Sequence, residues 1–368
     1  MRFIFFFSGF LFYAIASAQA LSPRYSVSAS GHFGFILPHH NDMRYLISAH
    51  TPGAEVNWFT SPRSCSDENN CLLVLPERGI GLLFFDFGNP RQLGKGFAVS
   101  PYLNFRINRS ETFYLLFRVG SGIGWITEPF DRVENHKNNV IGSNLNGFMN
   151  LRLNSYCILS DRLRLEGGIG VAHFSNGAFT LPNLGINLVT INAGLAMGFG
   201  RSAEDISMNE SYSPFTRTKY FISYLNFGLK EVNTPGGKKY PCVNFSLNRE
   251  KRITQSGKYS YGIELTYNGA NYADFLYDTI PITHARNMQA AVKAGYAVVV
   301  GKLSLPMEMG VYLYSLEKGN GPVFHRIGLR YQVSPAWHIC YTLKTHWAKA
   351  DFIEFGLGYM FHVKNDMN

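Results

Sequence analysis

Within the run Gly170–Asn187, GVAHFSNGAFTLPNLGIN, an imidazole and a hydroxyl stand two residues apart, at His173 and Ser175. In an extended chain, side chains at i and i+2 share a face, with Cα atoms about 7 Å apart. A histidine so placed reaches a serine hydroxyl, takes its proton as general base, and lets the oxygen attack a carbonyl. Of the 11 histidines only this one has serine at i+2. The pair gains meaning from the elements that carry it, since a chain of this composition offers roughly one such pair by chance.

Those elements are strands. The 368 residues include 34 Lys+Arg against 25 Asp+Glu, 16% charged and 15% aromatic residues, and 36 glycines. So many Phe, Tyr, Leu and Ile exclude a disordered chain. After the first twenty residues no apolar run reaches the roughly 18 needed for a membrane helix, so a helical bundle is excluded as well. Instead, apolar and polar residues alternate. In Arg162–Ser175 one parity reads Leu163, Leu165, Gly167, Ile169, Val171, and the other Arg162, Arg164, Glu166, Gly168, Gly170. Successive strand side chains point to opposite faces, so one face is apolar and the other charged or small. Thr112–Trp125 and Phe148–Cys157 repeat the pattern.

The apolar face belongs to a sandwich core or to lipid, and three features favour lipid. Met1–Ala20, MRFIFFFSGFLFYAIASAQA, reads as an export signal with an A-x-A cleavage site before Leu21. The alternating segments are about ten residues or longer, as tilted spans require. Tight turns at Asn108–Glu111, Leu159–Arg162 and Val333–Pro335 alternate with long polar stretches at Thr127–Asn146 and Asn268–His284, the asymmetry of outer-membrane barrels. The expected fold is an all-β, antiparallel, transmembrane outer-membrane β-barrel protein of about sixteen strands in two related sets of eight. Residues 21–200 form the first set, 201–217 (RSAEDISMNESYSPFTR) a polar linker, and 218–368 the second. Periodicity does not distinguish one wide barrel from two small ones; the expectation here is one.

Parity then gives His173 and Ser175 their weight. They continue the Leu163–Val171 series and so face lipid, and on the returning strand Asn187 shares parity with Val189, Ile191, Leu195 and Met197. Three polar side chains on an apolar face are costly unless they partner one another, and mark a functional site. A Ser–His pair there meets only esters that lie in the membrane.

The run H-x-S-N, followed by P-N-x-G-I before a strand, resembles the outer-membrane lipid A 3-O-deacylases, also called acyloxyacyl-hydrolase-like proteins. The resemblance implies eight-stranded barrels with a Ser–His–Glu triad on the lipid-facing surface that remove an ester-linked acyl chain from lipid A without a cofactor. Carried over, it makes His173 the base and Ser175 the nucleophile. Asn176 becomes an oxyanion-hole contributor, and Pro182, Asn183, Gly185 and Ile186 form the linking loop, with Asn183 beside the substrate. The chain departs from the family at the third member, because its Glu falls on Asn187. An amide oxygen can orient imidazole but supplies no charge to the imidazolium. The resemblance is best at Ile169–Phe199.

The second half offers no equivalent. His346 has Ala348 in place of a serine, and with Lys344 and Glu354 it falls on the lumen parity, where such groups form a polar network. His39-His40-Asn41-Asp42 has metal-ligand composition but reads as a loop tip. Cys65 and Cys71 bracket a polar segment suited to a small disulfide, whereas Cys157, Cys242 and Cys340 lie in strands. No zinc spacing occurs, and neither a metal nor a cofactor is expected. The net charge of +9 suits anionic lipid phosphates, while the absence of a basic stripe argues against nucleic acid. The expected activity is that of an outer-membrane serine esterase acting on lipid A, lipopolysaccharide or a related membrane lipid, as monomer or homodimer. The alternatives are a catalytically silent barrel (a porin or structural surface protein) and a secreted glycan-binding sandwich.

Overall fold

The computed structural model describes residues 25–60, 76–108, 113–200, 217–254, 256–271, 284–347 and 349–365. The export signal, the Cys65–Cys71 segment and nearly all of the linker lie outside them.

Among the described residues there are sixteen antiparallel strands in two closed barrels of eight. The first comprises β1 (Tyr25–Ile36), β2 (Thr51–Thr60), β3 (Glu77–Asp86), β4 (Lys95–Arg106), β5 (Phe113–Ile126), β6 (Leu145–Ile158), β7 (Leu163–Ser175) and β8 (Ile186–Phe199). The second comprises β9 (Thr218–Glu231), β10 (Lys239–Thr254), β11 (Gly257–Asn268), β12 (Met288–Val300), β13 (Leu303–Tyr314), β14 (Val323–Gln332), β15 (Trp337–His346) and β16 (Lys349–Asn365). Each strand pairs with its sequence neighbours, and each barrel closes first strand on last, from Tyr25↔Phe199 to Ile36↔Leu188 in one and from Glu354↔Gly228 to Asn365↔Thr218 in the other.

The two sets of eight are therefore as expected, but the single wide barrel gives way to two. The reason lies in the inward residues, which alternation identifies without saying how far apart they stand. Eight strands leave a lumen that side chains just fill, and here charges meet across it. In the first barrel Glu55 accepts from Arg118 at 2.7 Å, Arg152 at 2.5 Å and His32 at 2.9 Å, all buried. In the second, Glu264 meets Arg326 at 2.6 Å, Glu308 meets Lys293 at 3.0 Å and Arg330 at 2.9 Å, and Glu250 meets Lys258 at 2.7 Å. Each half neutralises its own interior, which a wide channel would leave apart.

Such pairs stabilise only as sets, because removing one partner strands a buried charge. Glu264→Gln, which keeps the volume but leaves Arg326, Lys293 and Lys344 facing a neutral amide, is expected to cost the second barrel about 3–5 kcal/mol. The unheated, folded band on SDS gels should then convert to the unfolded band at a lower temperature than in the parent.

The outer surface is apolar. Phe33, Trp58, Leu82, Phe97, Ile123, Trp125, Leu151, Ile169, Val171 and Ile191 project from the first barrel, and Leu225, Phe245, Ile263, Met307, Phe355 and Leu357 from the second. An exposed apolar belt of this extent is matched to hydrocarbon, not water. The connections 37–50, 87–94, 127–144 and 176–185 gather at one end of the first barrel, while the strand ends at Thr60, Glu77, Arg106 and Phe113 and the turn 159–162 lie at the other. Beneath the first group the lumen is stoppered by an apolar cluster that includes Ile36, Leu46, Phe85, Phe87, Ile141, Phe148, Phe174 and Ile186.

Candidate functional site

β7 rises through the outer face with Ile169 and Val171 exposed, then presents His173 and Ser175 on that same face. The intervening Phe174 points inward and packs on Phe148, Phe87 and Phe85 at centroid distances of 4.8, 5.7 and 6.4 Å. That aromatic anchor fixes the backbone on which both polar residues ride. The parity reading thus holds for His173, Ser175 and Asn187, all partly covered on the outward side.

Register brings His173 directly opposite Asn187, and Nδ1 lies 2.6 Å from Oδ1. Ser175 is paired with Gly147 of β6, which brings no side chain of its own to that flank; the nearest side-chain atom there is Tyr341 Oη of the second barrel, 3.3 Å from where a Gly147 Cβ would lie. Two donors converge on Ser175 Oγ: Asn183 Nδ2 at 2.9 Å and the Gly177 N–H at 3.2 Å. The Asn183 amide is oriented by its own partner, because its Oδ1 accepts from the Asn176 N–H at 3.0 Å. Ser175 Oγ in turn donates to Asn183 Oδ1 at 3.2 Å, so the hydroxyl is held by Asn183 and Gly177 rather than by a hydrogen bond to His173, and it must rotate away from Asn183 to deliver its proton to a base.

Asn176 differs from expectation in its side chain. Its amide is buried; Nδ2 donates to Ser143 Oγ at 2.9 Å and Thr180 O at 2.8 Å, and Oδ1 accepts from the Thr180 N–H at 3.3 Å. The strand ends at Ser175, so the next residue turns inward and satisfies loop backbone groups, as asparagines do at turns. The groups aimed at Ser175 are the Gly177 N–H and the Asn183 amide. Gly177 adopts φ +62°, in the left-handed region, and a Cβ there would collide with Ile353 Cγ1 of β16. The second barrel thus abuts the loop beside the hydroxyl. Glu231 N–H donates to Ala178 O at 2.9 Å, and Lys239 Nζ reaches Phe179 O at 2.5 Å and Thr180 Oγ1 at 3.1 Å.

One participant escaped the sequence reading. His39 Nδ1 lies 2.9 Å from Asn187 Nδ2, and its Nε2 lies 2.9 Å from Leu184 O. Its neighbours go elsewhere, with Asp42 N–H donating to His40 Nδ1 at 3.3 Å. A tandem of histidines at the head of a loop was the available signal, but nothing local says which of them reaches a strand 148 positions away.

The second-half residues lie in the lumen, as their parity predicts. Lys344, His346 and Glu354 are buried; His346 Nε2 is 2.9 Å from Tyr312 Oη, and Glu354 accepts from Arg326 Nε at 2.5 Å. No constellation like that at Ser175 recurs among the described residues of this barrel.

Comparison with known families finds both halves. Residues 66–196 match the family model Lipid A 3-O-deacylase (PagL), and residues 219–363 match Acyloxyacyl hydrolase, C-terminal domain. The second match extends the likeness to strands that carry no sequence motif of their own. Among solved structures, a mutant of the Rh. blastica porin aligns at 8% identity and TM-score 0.17, covering 92% of this chain and 100% of that one. Omp33 of Acinetobacter baumannii, an outer membrane protein, aligns at 7% and 0.18, covering 94% and 100%. No curated protein matches.

Proposed function

The chain belongs to the lipid A 3-O-deacylase family, and from that premise we propose that it is an outer-membrane serine esterase whose nucleophile is Ser175. The observation that carries this reading is the cluster of His173, Ser175, Asn183 and Asn187 on the face that meets lipid, at the end of the barrel where the connections 37–50 and 127–144 gather. In outer-membrane barrels the long connections are external, which supports reading the cluster as facing the outer leaflet.

Ser175 Oγ adds to the acyl carbonyl carbon while His173 Nε2 takes its proton, and Asn187 holds the imidazole through Nδ1. The carbonyl oxygen becomes an oxyanion within reach of the donors already converging on Ser175, the Gly177 N–H and Asn183 Nδ2. Asn176 braces the loop that presents them, through Ser143 and Thr180. Collapse breaks the ester C–O bond, and His173 returns the proton to the departing sugar oxygen. Water, deprotonated by the same imidazole, then releases the fatty acid and restores Ser175. The substrate is a lipid A or lipopolysaccharide molecule, or another membrane lipid ester. The proposed cycle calls on no cofactor.

The competing reading is a catalytically inert barrel, favoured by the neutral residue at position 187. Mass spectrometry of lipid A from lipopolysaccharide incubated with the purified protein in detergent separates the two. Loss of one acyl chain supports the esterase. Unchanged lipid A, with ion conductance in planar bilayers, overturns it in favour of a porin.

A glycine supplies a second check. Gly185 sits at φ +82°, and a Cβ there would lie 2.6 Å from His173 Cε1. Gly185→Ala is expected to push the imidazole aside and lower the deacylation rate about a hundredfold, the scale associated with misplacement by roughly 1 Å. The heat-modifiable gel shift should show the barrel still folded.

A further inference from the structure

We infer that His39 is a positioning residue that makes an uncharged asparagine serviceable as the third member of the site. The inference rests on the esterase reading and deepens it. A carboxylate can only accept, so it holds the Nδ1–H tautomer of a neighbouring histidine whichever oxygen it presents. An asparagine is ambiguous. With its oxygen toward His173 it keeps the proton on Nδ1 and leaves Nε2 bare to act as base. Turned end for end, it offers N–H groups to Nδ1 and drives the proton to Nε2, where the imidazole can no longer accept from Ser175.

The contacts of His39 remove the ambiguity. The chain of bonds begins at a backbone carbonyl, Leu184 O, which only accepts. His39 Nε2 must therefore carry hydrogen, and in neutral imidazole the other nitrogen is then bare. Bare Nδ1 accepts from the Asn187 side chain at 2.9 Å, so the group facing it is the NH2. The Asn187 oxygen is left facing His173, 2.6 Å from Nδ1, which must donate. Every donor and acceptor from Leu184 to His173 Nε2 is fixed in turn, and no other assignment of these neutral groups satisfies all three bonds.

His39 precedes the strand partnerships of the site by a long stretch of chain and contributes no atom to the reacting centre. It stands at the head of the 37–50 connection, just after β1, whose Ile36 pairs with Leu188 beside Asn187. The closure of the barrel by β1 on β8 is thus what delivers the ring to the amide.

The test combines a double substitution with a spectroscopic measurement that does not need turnover. His39→Phe keeps an aromatic ring but removes the acceptor, and is expected to lower kcat roughly ten- to a hundredfold with little change in KM. In an Asn187→Glu background, where the third member can only accept, the same substitution should cost less than twofold. Equal losses in both backgrounds would mean that His39 merely supports the loop and would overturn the inference, as would the absence of any loss in the parent. Nitrogen-15 and carbon-13 shifts of labelled histidines in micelles report the tautomer directly. His173 should be Nδ1–H in the parent and mixed or Nε2–H in His39→Phe; an unchanged His173 signal overturns the proposal. His39→Gln, which can again accept at that point, should restore the parent signal in part if the folded band of the Phe variant is lost. Should no variant deacylate lipid A, the esterase reading fails while the tautomer measurement still decides the role of His39.

Discussion

Lipopolysaccharide incubated with the Ser175→Ala protein should keep all its acyl chains, with a deacylation rate about ten-thousandfold or more below that of the parent. The size of the loss follows from the geometry. Alanine removes the hydroxyl that the proposed mechanism makes the nucleophile, and on that reading His173 and the two donors alone retain just the part of catalysis that comes from binding and charge stabilisation. The donors are not left stranded in a way that unfolds the barrel. Asn183 stays oriented by the Asn176 N–H and is only partly buried, so the one bond lost outright by a buried donor is that of the Gly177 N–H. Intact lipid A together with an unchanged heat-modifiable gel shift would assign the loss to chemistry. Parent-like deacylation by the variant would move the nucleophile elsewhere.

The second large effect runs in the other direction. Asn187→Glu should raise kcat about tenfold or more at neutral pH. In the proposed mechanism Asn187 supplies orientation, through the 2.6 Å contact with His173 Nδ1, but no charge to offset the imidazolium formed as Ser175 attacks. A unit negative charge about 4 Å away is worth up to roughly 4 kcal/mol in a partly screened environment, less the cost of bringing a carboxylate to a lipid-facing wall. The position softens that cost, because Asn187 lies one strand-pair from the barrel end and already has His39 as a second polar neighbour. Initial rates of fatty-acid release measure the effect. A fall in rate would mean that the site has adapted to a neutral third member, with the wall refusing the charge.

Much of this site was legible because strand parity is a strict code. Once Leu163, Leu165, Ile169 and Val171 were read as one face, His173 and Ser175 had to share it, and the same arithmetic put Asn187 on that face of the returning strand; the register then sets it opposite His173. The inward fate of Lys344, His346 and Glu354 came from the same rule. Three things lay beyond it. Closure depends on which edge strands meet, and the alternation of β8 and β9 is the same in one barrel or two; only the match of Glu55 to Arg118 and Arg152, and of Glu264 to Arg326, across a narrow lumen distinguishes them. The inward turn of the Asn176 amide is a loop event past the last alternating residue. His39 reaches Asn187 through that same barrel closure, so its place at the site was hidden for as long as the closure was.

The loop from Asn176 to Thr180 is gripped on one side by Ile353, Glu231 and Lys239 of the second barrel, and Tyr341 Oη would lie 3.3 Å from a Cβ at Gly147. On the opposite side, Asn187 and His39 belong to the first barrel itself. The protein therefore has a leeward and a windward flank. Lipids travelling in the plane of the leaflet collide with the site from the β8 and β1 side, and those approaching from the other side meet a wall of protein. On the esterase reading, lipid enters such a one-sided harbour by lateral traffic within the leaflet, so its capture (kcat/KM), rather than kcat, should follow the fluidity of the membrane.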